Sequence, residues 1–137
     1  MSQEIGFEVQ LESPFEEAVD KVVAALKAEG FGVLTRIDVK AIMWEKLGEE
    51  FRPYVIMGAC NPPLAHRALS TDSVVGLMLP CNVTVEANPQ GGSLVRLANP
   101  EMMLQVGTLE NNLTLREVAA EARERLERVA KTLLEAL

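Results

Sequence analysis

The sequence predicts an α+β domain, a mostly antiparallel sheet with helices packed on one face and short helices inserted between strands. Three observations carry that expectation. Five stretches of strand length alternate in polarity or run apolar, two long stretches repeat apolar residues every three or four positions, and Gly, Pro and Asn clusters separate them.

In chain order, Ile5, Phe7, Val9 and Leu11 alternate with Gly6, Glu8, Gln10 and Glu12, so the first strand is buried on one face and wet on the other. Ser13-Pro14-Phe15-Glu16 reads as a helix start, with Ser13 capping, Pro14 in the first helical position and Glu16 reaching back. Phe15, Ala18, Val19, Val22, Val23 and Leu26 give that helix one apolar face, and Gly30 ends it. Val33, Thr35 and Ile37 make the inward face of a second strand, with Leu34, Arg36 and Asp38 opposite. A single helix between the two strands suggests a β-α-β unit. Asp38 then caps a short helix ending at Gly48, with Val39, Ile42, Met43 and Leu47 inward and Trp44 as partial cover for the core's edge.

Tyr54 to Ala59 is apolar at both parities, so the third strand is expected to be covered twice. Asn61 is a good N-cap and Pro62 a good first residue for a helix over Leu64, Ala65, Ala68 and Leu69. Leu77, Leu79, Cys81, Val83 and Val85 share one parity of a fourth strand, in which Pro80 implies an edge position or a bulge. Asn88-Pro89-Gln90-Gly91-Gly92 turns that strand back into Leu94–Leu97 as a hairpin. Asn99-Pro100 opens a short helix carrying Met102 and Met103, and residues 107–112 form a loop. Thr114-Leu115-Arg116-Glu117 has the capping-box pattern, and Val118, Ala119, Ala122, Leu126, Val129, Ala130, Leu133 and Leu137 continue an apolar stripe. The charged residues between them form a solvated face.

At 137 residues the chain is one domain, spanning 1–137, long enough to bury about 70% of the surface exposed when unfolded. It needs no staples. No apolar run is long enough to cross a bilayer, and the opening Met1 to Gly6 has neither a basic nor an apolar signal region, so a cytoplasmic protein without membrane partners is expected. The net charge of −7 repels phosphate backbones and argues against nucleic acid. Two cysteines in a reducing compartment are expected as free thiols, and their spacing matches no zinc motif. No cofactor motif is present and no cofactor is expected.

Gly58-Ala59-Cys60-Asn61-Pro62-Pro63 turns a buried strand into a helix with a thiol at the junction. A helix entrance favours thiolate, which makes Cys60 a candidate nucleophile, with His66, the sole histidine, as its candidate base. The alternatives are structural: Cys60 as a small apolar filler of the corner, Cys81 as a core residue, and His66 as a surface side chain. Cys60, His66 and Cys81 have the right chemistry for a transition metal if their three elements converge, without a known spacing behind them.

Gly30 to Thr35, Ile37-Asp38-Val39-Lys40, Gly58 to Pro62, Ala65 to Leu69 and Leu79-Pro80-Cys81-Asn82-Val83 together resemble the bacterial and archaeal family known as domain of unknown function 302, over nearly the whole chain. The resemblance implies a two-layer β-α-β(4)-α fold of the TATA-binding-protein-like class and a homodimer. It also makes Cys60, Asn61, Cys81 and Asn82 candidate ligand-binding residues. It implies no activity, and fold analogy to a DNA binder transfers none.

Two classes of function are open. One is a small-ligand-binding or interaction module; the other is a thiol-dependent enzyme or redox sensor using Cys60, or a Cys/His metal-binding protein. A homodimer is expected through the outer face of strands three and four, where Val55, Met57, Ala59 and Met78 would otherwise leave an apolar patch in water. The segments Val39 to Leu47 and Pro100 to Val106 are the candidates for covering that face instead.

Overall fold

The structure, a computed structural model, describes residues 4–135. Its strands are β1 (Gly6–Leu11), β2 (Gly32–Asp38), β3 (Tyr54–Cys60), β4 (Cys81–Ala87) and β5 (Ser93–Ala98). Its helices are α1 (Phe15–Ala28), α2 (Val39–Leu47), α3 (Pro62–Thr71), α4 (Pro100–Met103) and α5 (Leu113–Glu135). Leu137, the last residue of the apolar stripe, lies outside the described residues. The five strands form one sheet in the order β1-β5-β4-β3-β2, with every neighbouring pair antiparallel. The fold class is therefore α+β, as the sequence predicts, but β1 and β2 lie on opposite edges. The α1 connection spans the whole sheet instead of joining adjacent strands.

One face of the sheet is covered by α1 and α5. Val9, Val55, Met57, Val83, Val85, Val95 and Leu97 project from the strands against Ala18, Val22, Leu26, Leu126, Val129 and Leu133, and all are buried. The ladder fixes which residues share that face: Val55, Met57 and Ala59 stand directly opposite Val85, Val83 and Cys81. Facing residues in an antiparallel pair point the same way. This corrects the expected dimer surface. Val55, Met57 and Ala59 lie under the helices, and Met78 lies in a 3₁₀ turn, Ser73–Met78, so the four form no open patch. Neither candidate cover segment is responsible; α1 and α5 are. The opposite face, with Tyr54 and Ile56, carries no helix layer built from the two long amphipathic segments.

Four local expectations change for identifiable reasons. A bulge between Val33 and Thr35 reverses the parity of β2, so Arg36 and Asp38, opposite Met57 and Val55, share the helix face, and Thr35 and Ile37 do not. In α2 no residue is buried: Asp38 caps it as expected, accepting from the Ala41 N–H at 3.0 Å, but Leu47 is 67% and Trp44 63% exposed, so they cover no core. The fourth strand starts at Cys81; Leu77 is 84% exposed and Pro80 precedes the strand, where its missing donor interrupts no ladder. The two capping boxes do not form. Ser13 instead accepts from Lys21 Nζ at 2.6 Å, while Asn112 takes the place of Thr114, its Oδ1 accepting from the Leu115 N–H at 3.1 Å. Asparagine is the stronger cap of the two.

Gly30 ends α1 as expected. At φ +85° it allows its own N–H to reach the Lys27 carbonyl and the Phe31 N–H to reach that of Leu26, closing the helix with two bonds. A second buried cluster, Leu64, Ala68, Val75, Leu104, Leu109, Leu115, Val118, Ala119 and Ala122, joins α3 and the following 3₁₀ turn to the N-terminal half of α5. The loop expected over residues 107–112 contains a 3₁₀ turn, Gly107–Leu109, which delivers Leu109 to that cluster. Among the described residues no helix is long and apolar enough to cross a membrane.

Candidate functional site

Between the sheet core and the second cluster lies an open cavity of about 250 Å³. Its floor is the end of β3 and the start of β4, at Ala59, Cys60 and Cys81; its walls come from Leu64, Ala65 and Ala68 of α3 and Val118 and Ala122 of α5. Phe31, Leu34, Leu69, Leu79, Pro80, Pro100 and Leu104 close the remainder. The chain creates this gap through small residues. Ala65, Ala68 and Ala122 face one another where leucines would fill the space, and packed interiors leave few such voids.

The junction after β3 is built as the sequence suggests. Asn61 caps α3, its Oδ1 accepting from the Leu64 N–H at 3.2 Å, with Pro62 in the first turn. Its Nδ2 donates to the Glu29 carbonyl at 3.5 Å, a carbonyl that also accepts from Arg125 at 3.0 Å. Asn61 thus ties the entrance of α3 to the end of α1 and to α5. Each end of its amide makes one bond to the fold, and one N–H and one lone pair remain beyond those two bonds.

Cys60, Asn61 and Cys81 come together at this cavity. Cys81 is buried, and Cys60, the last residue of β3, is half-buried; both are free thiols. Burial pushes the Cys81 thiol up to about 11, and the neighbouring Cys60 adds to the rise by its charge. His66 does not join them: it is exposed on α3 and borders no part of the cavity, so it is not placed as a base for Cys60. Asn82 lies one residue along β4 from Cys81 and therefore faces the other side of the sheet. There it borders a separate depression of about 430 Å³ with Tyr54, Thr84 and Arg96. Among the described residues no group of three His, Cys, Asp or Glu side chains could hold a metal ion, so Cys60, His66 and Cys81 do not converge into a site.

The outer face carries its own charge cluster. Glu86 is buried between Arg52 at 3.0 Å and Arg96 at 2.6 Å, and Arg96 also pairs with Glu8 at 3.0 Å. Burial would raise the Glu86 carboxyl, but the hydrogen bonds from Arg96 and Arg52 outweigh it and hold the group below the usual carboxylate range. The cluster is internally neutralised, and no sequence pattern announced it because its members come from three strands and a loop.

The different settings of the two thiols give a measurable contrast. Cys60 is expected to react with iodoacetamide well before Cys81 in the native protein. With a pKa of about 11, only about one Cys81 in a thousand is thiolate at pH 8, and its rate should still be climbing above pH 9. Mass-spectrometric mapping of alkylation against pH checks this, and equal labelling of both thiols at pH 8 would contradict it.

Sequence reasoning found the two thiols but not the walls around them. The missing signal was the set of small residues at matching positions on α3 and α5, together with the bulge that turns Leu34 toward the rim.

Among curated proteins none matches the chain. The crystal structure of an uncharacterized conserved DUF302 protein from Bacillus stearothermophilus is similar, with a TM-score of 0.83 and 30% sequence identity over 95% of this chain and 98% of that one. The family model described as Domain of unknown function DUF302 matches residues 7–133. With that match over nearly its whole length, and the same fold in a relative of the same description, the chain belongs to the DUF302 family.

Proposed function

We propose that this protein is a small-ligand-binding domain whose ligand is an uncharged, largely apolar molecule held between α3, α5 and the junction of β3 with β4. The observation that carries this reading is the chemistry of the cavity wall. Apart from the two thiols and the amide of Asn61 it is entirely aliphatic or aromatic, with no charged side chain and no hydroxyl. A charged ligand would lose its hydration there without gaining a partner. Cavities of about 150 Å³ lined by such residues hold benzene, so about 250 Å³ suits on the order of ten non-hydrogen atoms, and a larger molecule would extend through the open mouth. A binding role also accounts for the apolar rim, where Leu34 and Leu69 stand exposed.

The presence of two thiols on one cavity keeps thiol chemistry as the second reading. It has less support, because a nucleophile needs a base within reach and none of the lining residues is an acid, a base or an imidazole.

Titration with N-phenyl-1-naphthylamine, an uncharged dye whose fluorescence rises in apolar surroundings, tests the binding reading. Saturable one-to-one binding is expected. Ala65→Phe, which fills the cavity from the half-exposed side of α3, should weaken it by at least ~tenfold without loss of helical circular dichroism. Absence of saturable binding, or equal binding by Ala65→Phe, would exclude this cavity as the site.

A further inference from the structure

We propose that two copies of this chain associate edge to edge through β2, antiparallel about Ile37, so that Arg36 of each meets Asp38 of the partner subunit. The starting observation is an edge that the monomer leaves unfinished. β2 hydrogen-bonds only to β3, so its other side presents unpaired N–H and C=O groups. The helix that follows has no buried residue, and exposed Ile37, Ile42, Trp44 and Leu47 cluster in this one short segment. A nine-residue helix is marginal in water unless its apolar side chains find cover.

Charge selects the partner. Of the eight arginines, Arg36 is the one without a hydrogen bond or ion pair among the described residues. Asp38 caps α2 with one oxygen, and it too has no cationic partner among those residues. The two stand on the same face of β2, opposite Met57 and Val55, and flank Ile37. In an antiparallel pairing about Ile37 each Arg36 falls opposite Asp38 of the partner subunit, where facing Cβ atoms are about 5 Å apart. Two ion pairs then form symmetrically, as a two-fold interface requires.

Charged residues and a bulge on an edge commonly prevent pairing. Here opposite signs two positions apart make the edge complementary to itself in this one register. The chain carries −7 overall, yet Gly32 to Glu50 holds three basic and four acidic residues, so this segment contributes only a small part of the repulsion between copies. The ladder itself is short, from Arg36 to Asp38. Beyond it each copy enters α2, whose exposed Ile42, Trp44 and Leu47 supply the contact area.

Sedimentation equilibrium in low salt tests the pairing without reference to any ligand. The wild-type chain should sediment as a dimer at micromolar concentration. Arg36→Asp and Asp38→Lys should each weaken self-association by at least ~tenfold, because each sets like charges against each other. Mixed in equal amounts the two variants should recover a dimer, since the aspartate introduced in one chain then meets the lysine introduced in the other, and the remaining native Arg36 meets the remaining native Asp38. Asp38→Asn, which keeps the oxygen that caps α2, separates loss of charge from loss of the helix and should also weaken association. A wild-type monomer, an Arg36→Asp dimer as tight as the wild type, or a mixture that stays monomeric overturns the proposal.

Discussion

Met57→Asp is expected to leave the chain largely unfolded at room temperature. Met57 is fully buried on β3, opposite Val83 on one side and Arg36 on the other, beneath the layer formed by α1 and α5. Burial of a methionine side chain contributes about 2 kcal/mol, and that is lost. The larger effect is the carboxylate, which the covering helices cut off from water: Arg36, opposite on the edge strand, is exposed and offsets only part of the cost, so the group must either stay ionised in a largely apolar core or take up a proton against its normal affinity. Together these exceed about 5 kcal/mol, comparable with the whole stability of an ordinary domain. Urea denaturation followed by circular dichroism checks it, with Met57→Leu as a control expected to cost less than ~1.5 kcal/mol. A folded Met57→Asp with an unchanged midpoint would mean that this face of the sheet is open, the arrangement that the parity of the sequence alone had favoured.

That contrast shows where the sequence is legible. Alternation in β1, the periodicity of α1 and α5, the Asn61-Pro62 start of α3 and the Asn88–Gly92 hairpin are all local signals, and each element forms where its own residues place it. Register is not local. Nothing within Tyr54 to Ala59 states that Ala59 will face Cys81, and that pairing alone decides which face the helices cover. The bulge at Leu34 is similar: one extra residue reversed the faces of Arg36 and Ile37 while leaving the polarity pattern of the sequence intact.

The candidate site divides along the same line. Cys60 and Asn61 were legible because a cap, a proline and a strand end are adjacent in the chain. Their convergence with Cys81 follows from the β3–β4 pairing and their separation from His66 from the pitch of α3. The cavity depends on alanines from two helices far apart in the chain facing one another, a coincidence visible only after folding.

Gly92→Ala is expected to be the most damaging of the conservative substitutions in the loops. Gly92 closes the β4–β5 hairpin at φ +74°, where its carbonyl accepts from the Asn88 N–H at 2.9 Å. An alanine in that conformation costs about 1–2 kcal/mol from its own backbone. The surroundings add to this, because a Cβ would overlap the Leu11 carbonyl oxygen and approach Leu11 C and Glu12 Cα to 3.2 Å. These are backbone atoms, and they cannot easily retreat. Leu11 is paired with Ser93, and the Ser93 hydroxyl donates to the Ser13 carbonyl at 2.9 Å, which pins the same corner. The strain must therefore separate β1 from β5 at its end, and a total loss of about 3–5 kcal/mol is expected, or roughly 10–15 °C in Tm for a domain of this size. Gly91→Ala isolates the second contribution: Gly91 also has positive φ, at +104°, but a Cβ there meets nothing within 4 Å. If thermal unfolding gave the same Tm for the two variants, the contact with Leu11 would contribute nothing. A Gly92→Ala loss at least ~2 kcal/mol larger than that of Gly91→Ala would assign the difference to the packing of the hairpin against the β1–α1 corner.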